Sequence, residues 1–383
     1  MKNTFFLYFF GLFFPLTIYA QPFRHVNRGK AIGVHFYKNI EFLGATFFIG
    51  SMAAQADTDA LQANTRIKKR DWFAYDLSLY YRFRSFADHP DMKLVSAFGE
   101  THGGSDLSQL LTHLAPFPHA VIRPDRDGPW LRPFIRSKDS ATSVKEVIDF
   151  IEASNRLYKA MDFEACLRDN RILYEKSLLE IRSVLPPAAL IKTMEQFYRH
   201  AFDHYALLPS LTIPAGMAFG VQHTDGRKIV VMNLFGPFAV QQFKDRAAIN
   251  MGFADAEHIR ELSTHEFGHS FSNPAVLLVS KEKLKATAWI YEPVREAMSN
   301  QGYDNWQSCL IEYFVRAGEV VIARKMGNPA SANKLLKSYV EQRRFVYLPL
   351  FIEQLEAYDR DPSMAYADAV ARTVDRLMAL PKP

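Results

Sequence analysis

The chain has 383 residues, 48% of them apolar, and a formal net charge of +5, enough apolar content for a large buried core. The charge is mild and scattered. Its one dense basic run, Arg66–Arg70 (RIKKR), reads as a solvated loop, which sets aside nucleic-acid binding. Only two cysteines occur, Cys166 and Cys309; they could pair in an oxidising compartment, and two buried, unpaired thiols are the favoured reading.

In chain order, Lys2 and the uncharged run FFLYFFGLFFPLTIYA, ending at Ala20 before polar Gln21, follow the plan of a secretory signal peptide over residues 1–20. The apolar run falls just short of a membrane span, so cleavage rather than anchoring is expected, and no cysteine follows Ala20 to carry a lipid. The implied address is secreted or periplasmic, with no stable membrane insertion of the remainder. Residues 31–52 predict a short strand and then a helix from about Ile40. Phe73, Leu77, Tyr80 and Phe83 recur at helical spacing, and Pro90 forbids continuation. A further element begins at Asp91; residues 99–106 (GETHGGSD) read as a loop, Ser105–His113 as a short helix, and the proline-rich 115–130 as irregular. From Ser143 to about Ala201 the pattern is helical, broken at Pro186-Pro187.

Asp225-Gly226 then separates two strand-like runs, residues 217–223 and 228–236, a hairpin signature. Everything from Ala254 reads helical, with breaks near Asn273-Pro274, Gly327-Asn328-Pro329 and Asp361-Pro362. The expected fold is α+β: mostly helical, with one small antiparallel or mixed sheet. Residues 21–205 form a mainly helical lobe, and 206–383 carry the hairpin and the motif below.

Residues 265–269 read His-Glu-Phe-Gly-His. On a helix, His265 and His269 lie one turn apart on one face, so both imidazoles can reach a single ion. Glu266 sits beside that ion without ligating it, placed to take a proton from an attacking water and pass it to a leaving amine. Two imidazoles and a carboxylate suit zinc with one position open. Asp255 fits the N-cap and Glu257 the first turn. The bland alternative is two coincidental histidines on a solvated face. The third ligand is expected at Glu312, on a helix starting near Asn305 behind an Asp304/Gln307 capping box. Glu319, Glu296 and Glu292 are rivals by spacing. Arg316, one turn after Glu312, could steady its carboxylate.

The stretches HEFGHSFSNP and YDNWQSCLIEYFVRA resemble a family of bacterial exported proteins of unknown function, predicted to be His-Glu-x-x-His zinc peptidases, and residues 39–90 resemble that family's N-terminal part. The resemblance implies a zincin-like fold, His265, His269 and Glu312 as zinc ligands, and Glu266 as base. It departs at Arg316, where many glutamate-type zinc peptidases carry an Asp. The expected activity is zinc-dependent hydrolysis of peptide bonds. The alternatives are an exported binding protein with a structural or vestigial zinc, and a zinc hydrolase of cell-wall peptides. An oxyanion donor is also needed, with Tyr303, Tyr291, His223 and Arg316 as candidates. Either hairpin strand could offer an edge to a peptide substrate. His89 and His102 are read as ordinary helix-terminal and loop histidines, and Gly268 either admits a close neighbour or fills space neutrally.

Overall fold

Four short strands sit among many helices. In the computed structural model, which describes residues 31–62, 66–135, 140–225, 227–238 and 251–381, β1 (Ile32–Val34), β2 (His204–Pro209), β3 (Ala218–Asp225) and β4 (Lys228–Phe235) form one sheet in the order β1-β2-β4-β3. The sheet is mixed: β2 runs parallel to β1 and β4, and β3 pairs antiparallel with β4, placing Gly220 opposite Asn233. The expected α+β class, mostly helical with a small sheet, is therefore what the chain adopts. The signal-peptide reading of residues 1–20, and Gly226 of the hairpin dipeptide, lie outside the described residues. Among those described, no helix is long and apolar enough to cross a membrane.

The hairpin was legible because β3 and β4 are adjacent in sequence and joined by a turn signal. β2 was not read as a strand. It is a short apolar run buried along nearly its whole length, and such central parallel strands show no alternation of apolar and polar residues.

Helix boundaries differ from expectation, most clearly in four places. The Pro90–Thr101 helix absorbs Gly99, Glu100 and Thr101, so only His102 and Gly103 separate it from the Gly104–His113 helix. Pro124 opens a helix, Pro124–Leu131, inside the stretch read as irregular, because proline is well suited to the first helical position. The motif helix, Ala256–Val276, does not stop at Asn273-Pro274. A proline in the last turn removes a single backbone bond, and the Leu277 N–H still reaches the Asn273 carbonyl at 2.9 Å. Finally, Asn305, not Asp304, caps the Trp306–Lys325 helix, its side chain accepting from the Ser308 N–H at 2.9 Å. Asp304 instead accepts from the Ser299 hydroxyl. The expected Asp255 cap is present, accepting from the His258 N–H at 2.9 Å.

One apolar cluster includes residues from Val34 to Leu377, with a smaller satellite around Phe48, Phe73 and Leu77. Cys166 and Cys309 are buried and unpaired, as expected. Polar contacts tie the first helix, Lys38–Phe47, into this core. The Glu41 carboxyl accepts from the Tyr174 hydroxyl at 3.0 Å and from the Leu211 N–H at 3.2 Å. Burial pushes its pKa up to about 7 against those hydrogen bonds.

Candidate metal centre

Two helices build the site. The motif helix lies against β3 and β4 and packs on the Trp306–Lys325 helix. Gly220 makes the approach to β3 possible: a Cβ there would stand 2.5 Å from the Glu266 carbonyl oxygen. Gly268 has a milder role, since its added Cβ would meet Val315 Cγ1 at 3.4 Å. The tight position is Gly318, where a Cβ would come within 2.5 Å of the Tyr198 hydroxyl.

His265 and His269 face the Trp306–Lys325 helix, with their Nε2 atoms 3.3 Å apart. Glu312 closes the triangle: its Oε2 is 3.6 Å from His265 Nε2 and its Oε1 3.4 Å from His269 Nε2. A tetrahedron whose corners lie about 2.1 Å from its centre has edges of about 3.4 Å, so these separations match three corners of a tetrahedral metal site. Glu312 is buried, and its Oε2 has no aligned hydrogen-bond partner among the described residues. His265, His269 and Glu312 thus form a group that could hold a metal ion, the one such cluster among the described residues.

Each ligand atom is backed by a neighbour. His265 Nδ1 lies 3.2 Å from Glu319 Oε2, which also accepts from the Tyr339 hydroxyl at 2.9 Å. His269 Nδ1 lies 3.2 Å from Asn273 Oδ1. Each acceptor holds the Nδ1 proton and leaves the Nε2 lone pair facing the centre. Arg316 Nη2 is 3.0 Å from Glu312 Oε2, an ion pair without hydrogen-bond alignment, and donates to the Tyr303 hydroxyl at 2.9 Å. The rings of Tyr339 and Phe345 lie 4.7 and 4.9 Å from the Arg316 guanidinium.

The electrostatics follow from burial and charge together. Burial pushes His265 well below the ordinary imidazole range, keeping it neutral as a metal ligand must be. Burial alone would raise Glu312, but the Arg316 guanidinium above all, with the Tyr303 hydroxyl, holds it below the ordinary carboxylate range. Glu266 is pushed up to about 8 by burial and then by the charges of Glu312 and Glu319, against a hydrogen bond from the Gly220 N–H.

Of the rivals for third ligand, Glu319 stands behind His265, while Glu292 and Glu296 lie exposed outside the cleft, Glu292 paired with Arg295. Among the oxyanion candidates, Tyr303 and Arg316 line the cleft and Tyr291 and His223 do not. Tyr291 donates to the Tyr303 carbonyl at 2.7 Å, and His223 lies against Trp130 and His113. His89 caps the Pro90–Thr101 helix, and His102 is buried against Phe98 and Phe134 rather than solvated. Sequence reading gave neither Glu319 nor Asn273 its supporting place. Their spacing is the available signal: Asn273 is one turn after His269, and Glu319 two turns after Glu312.

The triad opens into a cleft of about 830 Å³. Its walls include Gly216–Gly220 at the start of edge strand β3, Glu266, Tyr303 and Arg343. No curated protein and no solved structure matches this chain. Residues 135–365, more than half of the chain and including both site helices, match the domain of unknown function DUF4932, and the chain belongs to that family.

Proposed function

We propose that this chain is an exported zinc metallopeptidase. The observation that carries the reading is the placement of Glu266, a buried carboxyl that is not part of the ligand triangle, in the same cleft as His265, His269 and Glu312. A purely structural ion has no use for that group.

His265, His269 and Glu312 would hold a zinc ion, which when bound would supply Lewis acidity toward a scissile carbonyl and water. The chain's own groups do the rest. The outer edge of β3 binds an extended peptide as an added strand and draws its backbone past the triad. Glu266 takes the proton of the attacking water on its carboxylate and returns it to the leaving nitrogen. The Glu266 pKa falls when a cation occupies the triad, because positive charge opposes the effect of Glu312 and Glu319. Tyr303 shares its hydroxyl with Arg316 and Glu312. With Glu312 engaged as a ligand, the Tyr303 hydroxyl would be left to donate to the developing oxyanion of the substrate.

The test is Glu266→Gln. The variant keeps one zinc per chain by metal analysis and loses cleavage of casein or of peptidoglycan fragments by about 100-fold or more. Wild-type turnover disappears with a chelator and returns with zinc. Full turnover by the variant removes Glu266 from the mechanism.

A further inference from the structure

The cleft wall also carries a guanidinium that the ligand triad does not use. Arg343 is exposed, lines the cleft, and has no ion pair among the described residues. Arg316, the other cleft arginine, is committed to Glu312 and Tyr303. The backbone that presents Arg343 is held in place. The Arg343 N–H donates to the Ser338 carbonyl at 3.1 Å, and the Phe345 N–H closes the turn on the Tyr339 carbonyl at 2.9 Å. Between them Arg344 takes φ +65°, a left-handed conformation that a non-glycine residue keeps only where its surroundings impose it.

Gln301 pins the same turn from the neighbouring segment. Its Nε2 donates to the Arg343 carbonyl at 3.0 Å and to the Ala297 carbonyl at 2.8 Å. Those two bonds fix the amide orientation and tie the Arg343 turn to the neighbouring segment, with Gln301 itself a residue of the cleft wall. A cleft-lining guanidinium without an ion pair among the described residues, carried on a turn whose backbone is held, matches a carboxylate of a bound peptide.

We infer that Arg343, on the turn that Gln301 holds, forms a subsite selecting peptides with a carboxylate beside the scissile region, from either an acidic side chain or a free C-terminus. The inference rests on the peptidase reading for its role in turnover, but the binding it describes does not need cleavage.

The test uses a mixed-sequence octapeptide pool in three forms: neutral and C-terminally amidated, amidated with one fixed Glu, and neutral with a free C-terminus. Binding is measured by calorimetry on full-length Glu266→Gln protein loaded with zinc, alone and combined with Arg343→Ala or Arg343→Glu. Cleavage of the same pools is measured on wild type and on the single Arg343 variants. The expected result is that one or both carboxylate-bearing pools bind about tenfold tighter than the neutral pool. Arg343→Ala abolishes that preference while leaving the neutral pool unchanged, and Arg343→Glu reverses it. The fixed-Glu and free-terminus arms tell the two carboxylate sources apart. Equal binding of all three pools, or a preference that survives both substitutions, overturns the subsite even if wild type cleaves peptides. An Arg343-dependent preference in a protein that cleaves nothing upholds the subsite and overturns the peptidase reading instead.

Discussion

Arg316 gives the sharpest test of how the site is held together. It is 3% exposed, and its Nη2 lies 3.0 Å from the Glu312 carboxylate. At an effective dielectric of about 20, unit charges at that separation attract by about 5 kcal/mol. Substituting Arg316→Met keeps most of the stem volume between Tyr339 and Phe345 but leaves the Glu312 charge buried without its cation. Breaking a buried pair from one side costs about 3–5 kcal/mol, because the remaining charge stays desolvated. The metal-free variant is therefore expected to lose about 3–5 kcal/mol in urea unfolding followed by circular dichroism with a chelator present. Zinc affinity by calorimetry falls about 10–100-fold, since Glu312 loses the neighbour that orients it. Zinc at about 100 times its Kd restores roughly 3 kcal/mol to either protein. A metal-free loss below about 1 kcal/mol with unchanged zinc affinity would show that Arg316 does not hold Glu312 and that the ion-pair reasoning is wrong.

Three further outcomes are expected. His265→Ala and Glu312→Ala each leave the purified protein without stoichiometric zinc by metal analysis, against one ion per wild-type chain; retention of zinc by either variant removes that residue from the ligand set. Gly220→Ala drives a Cβ to 2.5 Å from the Glu266 carbonyl oxygen, so the strand must move off the motif helix. The cost is about 1–3 kcal/mol with impaired cleavage and zinc retained, and wild-type stability and turnover would refute the contact. Glu41 has a folded pKa of about 7 against an ordinary 4.5, so the folded state binds its proton more tightly. Its stabilising contribution is full below pH 4.5 and declines as pH rises through 7, by about 3 kcal/mol in all. Glu41→Gln removes that slope, and parallel stability curves for variant and wild type between pH 4.5 and 8 would count against it.

The parts of the site readable from sequence are those whose geometry is local. His265, Glu266 and His269 belong to one helix, and the 3.6-residue period places them around a common point whatever the rest of the chain does. The Asp255 cap and the β3–β4 hairpin are equally local, and both are present. Helix ends were less legible: Pro124 occupies the first helical position, which suits proline, whereas Pro274 is carried in the last turn by a helix that packing holds, and composition alone marks neither.

Tertiary packing decided the rest. Glu292, Glu296, Glu312 and Glu319 all lie downstream at workable spacing, and sequence distance does not rank them. Packing of the Trp306–Lys325 helix on the motif helix turns Glu312 toward the Nε2 atoms and carries Glu319 to His265 Nδ1. Packing likewise gave Asn273 to His269, made β3 rather than β4 the edge strand, and brought Arg343 to the cleft. A helix period is set by backbone hydrogen bonds a few residues apart, whereas the meeting of two helices is set by side chains distributed over the whole core.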